Sequence, residues 1–318
     1  MSAMCKTICL VIVGVWLCLL IGIANAAPTV TDADGAAPAF RARYEALRGQ
    51  LAASPFKRPL VLVSQQGSND VSGDVYAVVP HPFAQVNAAL GGAGTWCDIL
   101  ILHLNTKYCR VQQVSGATNL QMNVGKKFDQ PLGDSYRLTF AWRAAVQRAD
   151  FLKVNLTADT GPLSTRDYRI TLEAVPLDGG NTFVHLSYAF GFSVTGRLAM
   201  KAYLATIGRN KVGFTVMGKD SRGQPVFVDG IRGLVERNTM RYHLAVEAYL
   251  GASNATSSTA STMASGLASR AQFEKRIVDW FTAAELYPRQ LHEMEQREYI
   301  EMKRREYQRQ QADTRSVL

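Results

Sequence analysis

Asp98 and His103 are the residues best suited to acid–base chemistry, and Asn105 follows them closely. They lie in and just after a predicted apolar helix, where polar groups need partners. A hydrogen-bonded network at the end of that helix is the simpler interpretation of the three. The chain contains no GxSxG, HExxH or Gly-rich phosphate loop. The sequence therefore favours a non-catalytic protein, and it predicts no catalytic residue, metal ligand or cofactor.

The N-terminus has the pattern of a secretory signal. An almost entirely apolar run over residues 8–23 follows Lys6, and Ala24-Asn25-Ala26 then fits the small-x-small site of a signal peptidase. At about 16 residues the run is shorter than the roughly 20 that span a bilayer. An uncleaved anchor is the alternative. Residues 1–26 are predicted to be a signal peptide, so the mature protein is expected to be exported, to the periplasm in a bacterium and otherwise secreted.

The cysteines agree with an oxidising compartment. Three of the five leave with the signal, and Cys97 and Cys109 remain. An even pair in an exported chain usually forms a disulfide, which here would contribute on the order of 3 kcal/mol by closing a short loop. A zinc site is the alternative, but a lone pair near only His103 lacks the ligand spacing of such sites. We predict that Cys97 and Cys109 are joined.

The charge of the chain favours an anionic surface as a partner. The formal net charge is +9, and the basic residues are spread over the middle of the chain rather than gathered in one block. Such a distribution attracts anionic surfaces such as lipid headgroups. Nucleic acid is excluded as a partner because the chain has no basic stripe and no nucleic-acid-binding motif.

Apolar periodicity predicts helices first and a sheet afterwards. Residues 40–51 have helical spacing, two short strands follow, and two apolar helices end near Asn105. Beyond that residue apolar and polar side chains alternate, which is typical of strands with one dry face. Turn residues separate these strands into a long antiparallel meander. His185 falls on an outward row and is predicted to be a surface residue. An inserted helix at residues 198–207 and a long helix at residues 229–250 come next.

Three further segments are predicted from composition. Residues 27–39 are small, polar and Pro-containing, and are expected to be disordered. Residues 252–269 are rich in Ser, Thr and Ala and are expected to form a flexible linker. Residues 270–318 are expected to form a charged helical extension, separable from the domain at 40–251.

This order of elements resembles the helix-grip fold of the START-like (SRPBCC) superfamily. The similar texture lies in GDVYAV at residues 73–78, followed by HPF at residues 81–83. The resemblance covers residues 40–251. It implies an α+β fold in which a curved antiparallel sheet wraps around the long C-terminal helix at 229–250 and leaves an apolar tunnel. The helical extension is an addition to that plan.

The resemblance also implies a ligand. The inward aromatic residues become candidates for the tunnel wall, although ordinary core packing is the alternative for each. Asp98, His103 and Asn105 become candidates for the polar end of the tunnel. The wall candidates are Tyr136, Phe140, Trp142, Tyr188, Phe190, Phe192 and Tyr242.

The resulting hypothesis is an exported binding or carrier protein for a lipid or another apolar small molecule. One alternative is an enzyme on the same scaffold, of the cyclase or hydratase type, with Asp98 and His103 as acid and base. The other is a non-catalytic interaction protein whose charged C-terminal helix docks on a membrane complex.

Overall fold

A computed structural model describes residues 30–206, 208–253 and 262–315 of the 318-residue chain. The predicted signal peptide at 1–26 and its cleavage site lie outside these ranges. Among the described residues, no helix is both long and apolar enough to cross a membrane.

The order of elements follows the predicted plan of helix, hairpin, helical pair, meander and long helix. The first half contains α1 (Val30–Ala52), β1 (Leu60–Gln66), β2 (Asp70–Val79), α2 (Phe83–Leu90), α3 (Ala93–Leu100), β3 (Thr106–Val114), β4 (Ala117–Val124), β5 (Tyr136–Gln147), β6 (Leu152–Thr160), β7 (Thr165–Pro176) and β8 (Thr182–Phe192). The second half contains α4 (Val194–Thr206), β9 (Val216–Lys219), β10 (Pro225–Phe227), α5 (Gly230–Ser253), α6 (Thr262–Ala284), α7 (Pro288–Leu291) and α8 (Gln296–Arg315).

The main sheet has eight antiparallel strands in the order β1-β2-β8-β7-β6-β5-β4-β3. The first hairpin therefore lies beside the last strand of the meander. Helix α5 packs against β1, β2 and β8 on one face of this sheet. It approaches β2 most closely at Gly73, where a Cβ atom would lie only 2.4 Å from Thr239 Oγ1. The predicted α+β helix-grip fold is confirmed.

The opposite, outer face of the sheet is covered by α1. Phe40, Leu47 and Leu51 of this helix are buried in a second apolar cluster that includes Phe151 and Phe183 from the sheet. The prediction of disorder for residues 27–39 is wrong for the described part, because α1 begins at Val30. Its small and polar first residues gave no apolar stripe, but the apolar outer face of the sheet gives the helix a surface to cover.

The C-terminal extension belongs to the main core. Phe273, Ile277 and Trp280 of α6 are almost completely buried in the same cluster as the inner face of the sheet. Trp280 Nε1 donates to the carbonyl oxygen of Arg241 on α5 at 3.0 Å. The expectation of a separable extension therefore does not fit the packing.

The predicted linker at residues 252–269 is largely helical where it is described. Helix α5 continues through Ser253, and α6 already begins at Thr262. Residues 254–261 lie outside the described ranges. Ser, Thr and Gly are weak helix formers, so the composition predicted a linker. The apolar stripe that begins at Phe273 packs in the main core, and this packing stabilises α6.

Candidate ligand-binding site

The register of the sheet places the predicted wall residues on its inner face. Trp142 lies opposite Leu156, Leu156 opposite Ile170, and Ile170 opposite Tyr188, so these four residues form one row across β5 to β8. Side chains on directly opposed positions share a face of the sheet. Tyr188 therefore shares the inner face with Trp142, about three strand spacings away.

Four tyrosine and phenylalanine rings and one histidine ring form a continuous chain, which we call the aromatic arc. Ring centroids are 6.4 Å apart for Phe140 and Tyr168, and 6.3 Å apart for Tyr168 and Tyr188. Tyr188 then lies 5.2 Å from Tyr242 on α5, and Tyr242 stacks on His103 at 4.8 Å. These spacings are those of ordinary aromatic pairs. The arc joins the sheet, α5 and the loop after α3.

The other predicted wall residues differ in their position. Phe190 stacks on Tyr168 at 5.4 Å, and Phe192 lies 6.3 Å beyond Phe190, so both adjoin the aromatic arc. Tyr136 does not belong to the wall, since it is 42% exposed. Tyr136 is the first residue of β5. The alternation of apolar and polar residues assigned it to the inner row, but alternation does not show how far the helices cover that face of the sheet.

Three aromatic rings on this side of the sheet and on α5 are not fully covered. Trp142, Tyr168 and Tyr242 pack against the main core but are only partly buried. Burial raises the pKa of Tyr168 to about 12 and also raises the pKa of Tyr242. Both hydroxyl groups therefore stay neutral at physiological pH. The arc combines apolar ring faces with uncharged polar tips, a combination that suits an amphipathic ligand.

His103 supplies an unpaired donor at one end of the arc. The ring is 3% exposed, and its Nδ1 accepts a hydrogen bond from the backbone N–H of Asn105 at 3.2 Å. Burial, followed by the charges of Arg241 and Lys303, lowers the pKa of His103 well below its ordinary value. The ring is therefore neutral, and because Nδ1 is an acceptor, the proton lies on Nε2. Among the described residues Nε2 has no hydrogen-bond partner.

Asp98 and Asn105 do not join His103 in a catalytic arrangement. Asp98 Oδ2 accepts a hydrogen bond from Arg276 Nη1 of α6 at 2.9 Å. Asn105 Nδ2 donates to the carbonyl oxygen of Gly125 at 2.5 Å. Of the three predicted polar residues, only His103 contacts the aromatic arc through its side chain. The sequence could not indicate the partner of Asp98, because Arg276 lies far along the chain.

The sequence analysis missed Tyr168 and Asn238. Tyr168 was visible as an apolar member of an alternating row, but it was not singled out, although it contacts three rings of the site. The amide of Asn238 on α5 approaches both His103 and Tyr188. A polar residue inside the apolar stripe of a long helix was the available signal.

His185 is not the surface residue that was expected. Its side chain is 13% exposed and lies between Asp74 at 2.9 Å and Glu173 at 3.1 Å. The ring also stacks on Tyr76 at 4.3 Å. Burial acts to lower the pKa of His185, but the two carboxylates raise it overall. The outward row was assigned correctly and a helix at residues 40–51 was predicted, but its position over this face of the sheet was not foreseen.

Cys97 and Cys109 are bonded in the structure. Cys97 on α3 and Cys109 on β3 have Sγ atoms 1.98 Å apart and Cα atoms 5.2 Å apart. The bond closes the segment that carries His103, and so holds one end of the aromatic arc. Within the described ranges, no three His, Cys, Asp or Glu side chains are grouped as metal ligands.

Two clefts of the described residues lie away from the arc. One of about 400 Å³ lies between α4 and the start of α5, and one of about 590 Å³ lies beside α1 on the outer face. The rings of the arc pack against one another, so a ligand there would have to separate them.

Comparisons with known proteins find similarity only to solved structures. No protein-family model matches the chain, and no curated protein matches it. Among solved structures, the chain is similar to norcoclaurine synthase from Thalictrum flavum, at 16% identity over 46% of this chain and 89% of that chain, with a TM-score of 0.30. It is also similar to human StAR-related lipid transfer protein 5, at 10% identity over 56% and 90%, with a TM-score of 0.29. Ara h 8.0201 gives 11% identity over 60% and 97%, with a TM-score of 0.32.

The chain has a START-like helix-grip fold. The strand order of the sheet and the packing of α5 against β1, β2 and β8 define this fold.

Proposed function

We propose that the protein is an exported binding or carrier protein for a lipid or another apolar small molecule, held between α5 and the inner face of the sheet. The aromatic arc carries the proposal. It offers large ring surfaces, neutral hydroxyl groups and two buried N–H groups, those of His103 Nε2 and Trp142 Nε1, without a hydrogen-bond partner of normal geometry among the described residues. Asn238 is the side chain nearest in role to an acceptor for His103, and a ligand oxygen aligned with Nε2 would supply the hydrogen bond of normal geometry that core packing lacks.

Ligand capture tests this proposal. Protein purified from its own compartment, then delipidated and re-exposed to a lipid extract, is examined by native mass spectrometry. We expect a bound species of defined mass before delipidation and again after re-exposure. A protein that remains ligand-free in both samples would contradict the carrier function, and turnover of the bound compound would favour the enzyme.

Export forms part of the proposal and is supported by the signal pattern at residues 1–26 together with the paired mature cysteines. Intact mass of the purified protein tests it. We expect a mature chain that begins at Ala27. A full-length mass would instead favour an uncleaved anchor.

We also propose contact with an anionic membrane surface, through α4 and the β9–β10 hairpin. Val194 and Leu198 on α4 are 69% and 62% exposed, and Val216 and Met217 on the hairpin are 55% and 59% exposed. Residues 194–232 contain seven basic and two acidic residues, so this segment accounts for more than half of the net charge of +9. Exposed apolar side chains among basic ones suit an anionic lipid surface.

Vesicle flotation tests the membrane contact. We expect binding to anionic phospholipid vesicles, weaker binding to zwitterionic vesicles, and a loss of binding in the Leu198→Asp variant. The matched control is Leu286→Asp. Leu286 is similarly exposed but follows α6, outside the proposed membrane surface. Equal binding of both variants would contradict the assignment of the surface.

The interaction alternative loses its main support, because α8 is not a free docking helix. Tyr299 donates to the carbonyl oxygen of Leu102 at 2.8 Å. Lys303, completely buried, donates to the carbonyl oxygen of His103 at 2.7 Å and to Glu306 at 2.7 Å. Helix α8 thus holds the loop that carries His103.

A further inference from the structure

We propose that the ligand carries an anionic head group, a carboxylate in the simplest case, which accepts a hydrogen bond from His103 Nε2 while its apolar tail follows the aromatic arc. This inference rests on the proposed carrier function and adds the chemical class of the ligand.

His103 Nε2 is a hydrogen-bond donor that lacks an aligned acceptor. The backbone N–H of Asn105 occupies Nδ1, which leaves His103 Nε2 as a donor without a partner among the described residues. The amide of Asn238 approaches the ring without forming a well-aligned hydrogen bond to that nitrogen. A ligand acceptor would therefore compete with the Asn238 amide for this nitrogen, and a carboxylate oxygen is a stronger acceptor than a neutral one.

Basic side chains outnumber carboxylates near the His103 end of the arc. Arg241, Lys127 and Lys211 lie 2.7, 2.6 and 3.4 Å from the same carboxylate, that of Glu293. The surplus of cations over carboxylates makes the local potential positive.

A second group repeats this imbalance. Lys107 and Lys303 share Glu306, at 2.9 and 2.7 Å, and all three side chains are completely buried. Together the two groups contain five basic side chains and two carboxylates. Burial lowers the pKa of Lys127 and that of Lys303 to about 8, so both are still mostly protonated at pH 7.5 and the balance stays positive. In an interior of low dielectric, this excess favours an anion over a neutral or cationic head group.

The aromatic rings next to His103 form an elongated apolar row. Tyr242 stacks on His103, and Tyr188, Tyr168 and Phe140 continue from it in a single line of ring contacts. An extended tail attached to a head group at His103 would contact these rings in turn. A long-chain carboxylic acid fits both ends of the arrangement.

The test compares three probes of equal chain length on the delipidated wild-type protein: hexadecanoic acid, its methyl ester and 1-hexadecanol. Isothermal titration calorimetry at pH 7.5 gives the three dissociation constants. We expect the acid to bind about tenfold or more tightly than the ester, the difference that a charge-assisted hydrogen bond in a positive environment provides. Equal affinities for acid and ester would overturn the inference and leave the carrier function intact. Binding of none of the three would count against the carrier function itself.

Two histidine variants assign the preference to one nitrogen. His103→Phe keeps a ring against Tyr242 but removes Nε2–H, so the acid should lose most of its advantage while the ester binds as before. His185→Gln, on the outer face, is the matched control and should keep the full preference. An unchanged preference in His103→Phe would overturn the assignment. If that variant does not fold, the wild-type comparison of acid and ester still decides whether the head group is anionic.

Discussion

At the residue scale, the inner and outer rows of β8 differ in what they contact. Tyr188 is 6% exposed and lies between Tyr168 and Tyr242, whereas its neighbour Ser187 faces the outer side beside Asp74. Because the side-chain period of a strand is two, adjacent positions test opposite faces.

We expect Tyr188→Ala to lower the free energy of unfolding by about 3 kcal/mol, as for other large buried aromatic residues, and to weaken uptake of an apolar probe. Ser187→Ala should change the free energy of unfolding by less than about 0.5 kcal/mol and leave uptake unchanged. Urea unfolding followed by tyrosine and tryptophan fluorescence, together with probe titration, measures both. Intact uptake in a folded Tyr188→Ala variant would remove this ring from the site.

Glu293 is the residue on which three cations depend. Burial acts to raise its pKa, but Arg241 and Lys127 hold that pKa at about 2. The lowered folded-state pKa contributes stability that is present above the ordinary pKa of about 4.5 and is lost as the pH falls toward 2.

We therefore expect Glu293→Gln to destabilise the protein by about 3 kcal/mol at pH 7, because it removes the carboxylate shared by the buried Arg241 and the partly buried Lys127 and Lys211. The variant should also lose less stability than the wild type between pH 5 and pH 3. Chemical unfolding at several pH values measures both effects. Glu301→Gln, which removes an exposed ion pair with Arg297, should change stability by less than about 1 kcal/mol. Parallel pH curves for wild type and Glu293→Gln would contradict this role.

At the element scale, the sequence predicted the meander and the long helix well, because period two and period 3.6 are local signals. The described parts of the segments 27–39 and 252–269 were misjudged for the same physical reason. Their small polar residues carry no apolar stripe, and only the tertiary structure shows which surface each neighbouring helix covers. The arc was half predictable: Tyr188 and Tyr242 stood out, but their contact with His103 depends on packing between distant elements.

The packing of α6 and α8 leads to a prediction about truncation. A chain ending at Ser253 should fail to unfold cooperatively or lose most of its stability, because it exposes the surface that Phe273, Ile277 and Trp280 cover. A chain ending at Ala312 should melt within a few degrees of the full protein. Differential scanning calorimetry compares the two. A cooperative transition near the wild-type temperature for the shorter chain would show that the extension is separable after all.

The disulfide between α3 and β3 gives a second prediction at this scale. We expect no alkylatable thiol in the mature protein without reductant and two after reduction, read from intact mass. Reduction should lower the free energy of unfolding by about 3 kcal/mol through loop-closure entropy. Two alkylatable thiols in the unreduced protein would contradict the pairing of Cys97 with Cys109.

At the scale of the whole molecule, the sheet has two covered faces with different roles. The outer face packs under α1 in a small apolar cluster. The inner face packs under α5 and contains partly buried rings, and His103 in the loop after α3 adjoins them. The extension then holds the His103 loop from the far end of the chain. This arrangement concentrates the features of a ligand site on the inner face.

The most direct test of that claim locates the ligand on the protein. A long-chain fatty acid bearing a photoreactive diazirine in its tail is bound to the delipidated wild type, cross-linked by light, and mapped by peptide mass spectrometry. We predict labels on β5, β7, β8 and α5, at or beside Phe140, Tyr168, Tyr188 and Tyr242, and competition by excess unlabelled acid. Labels confined to α1 and the outer face, or to the cleft between α4 and α5, would contradict a ligand site between α5 and the inner face of the sheet.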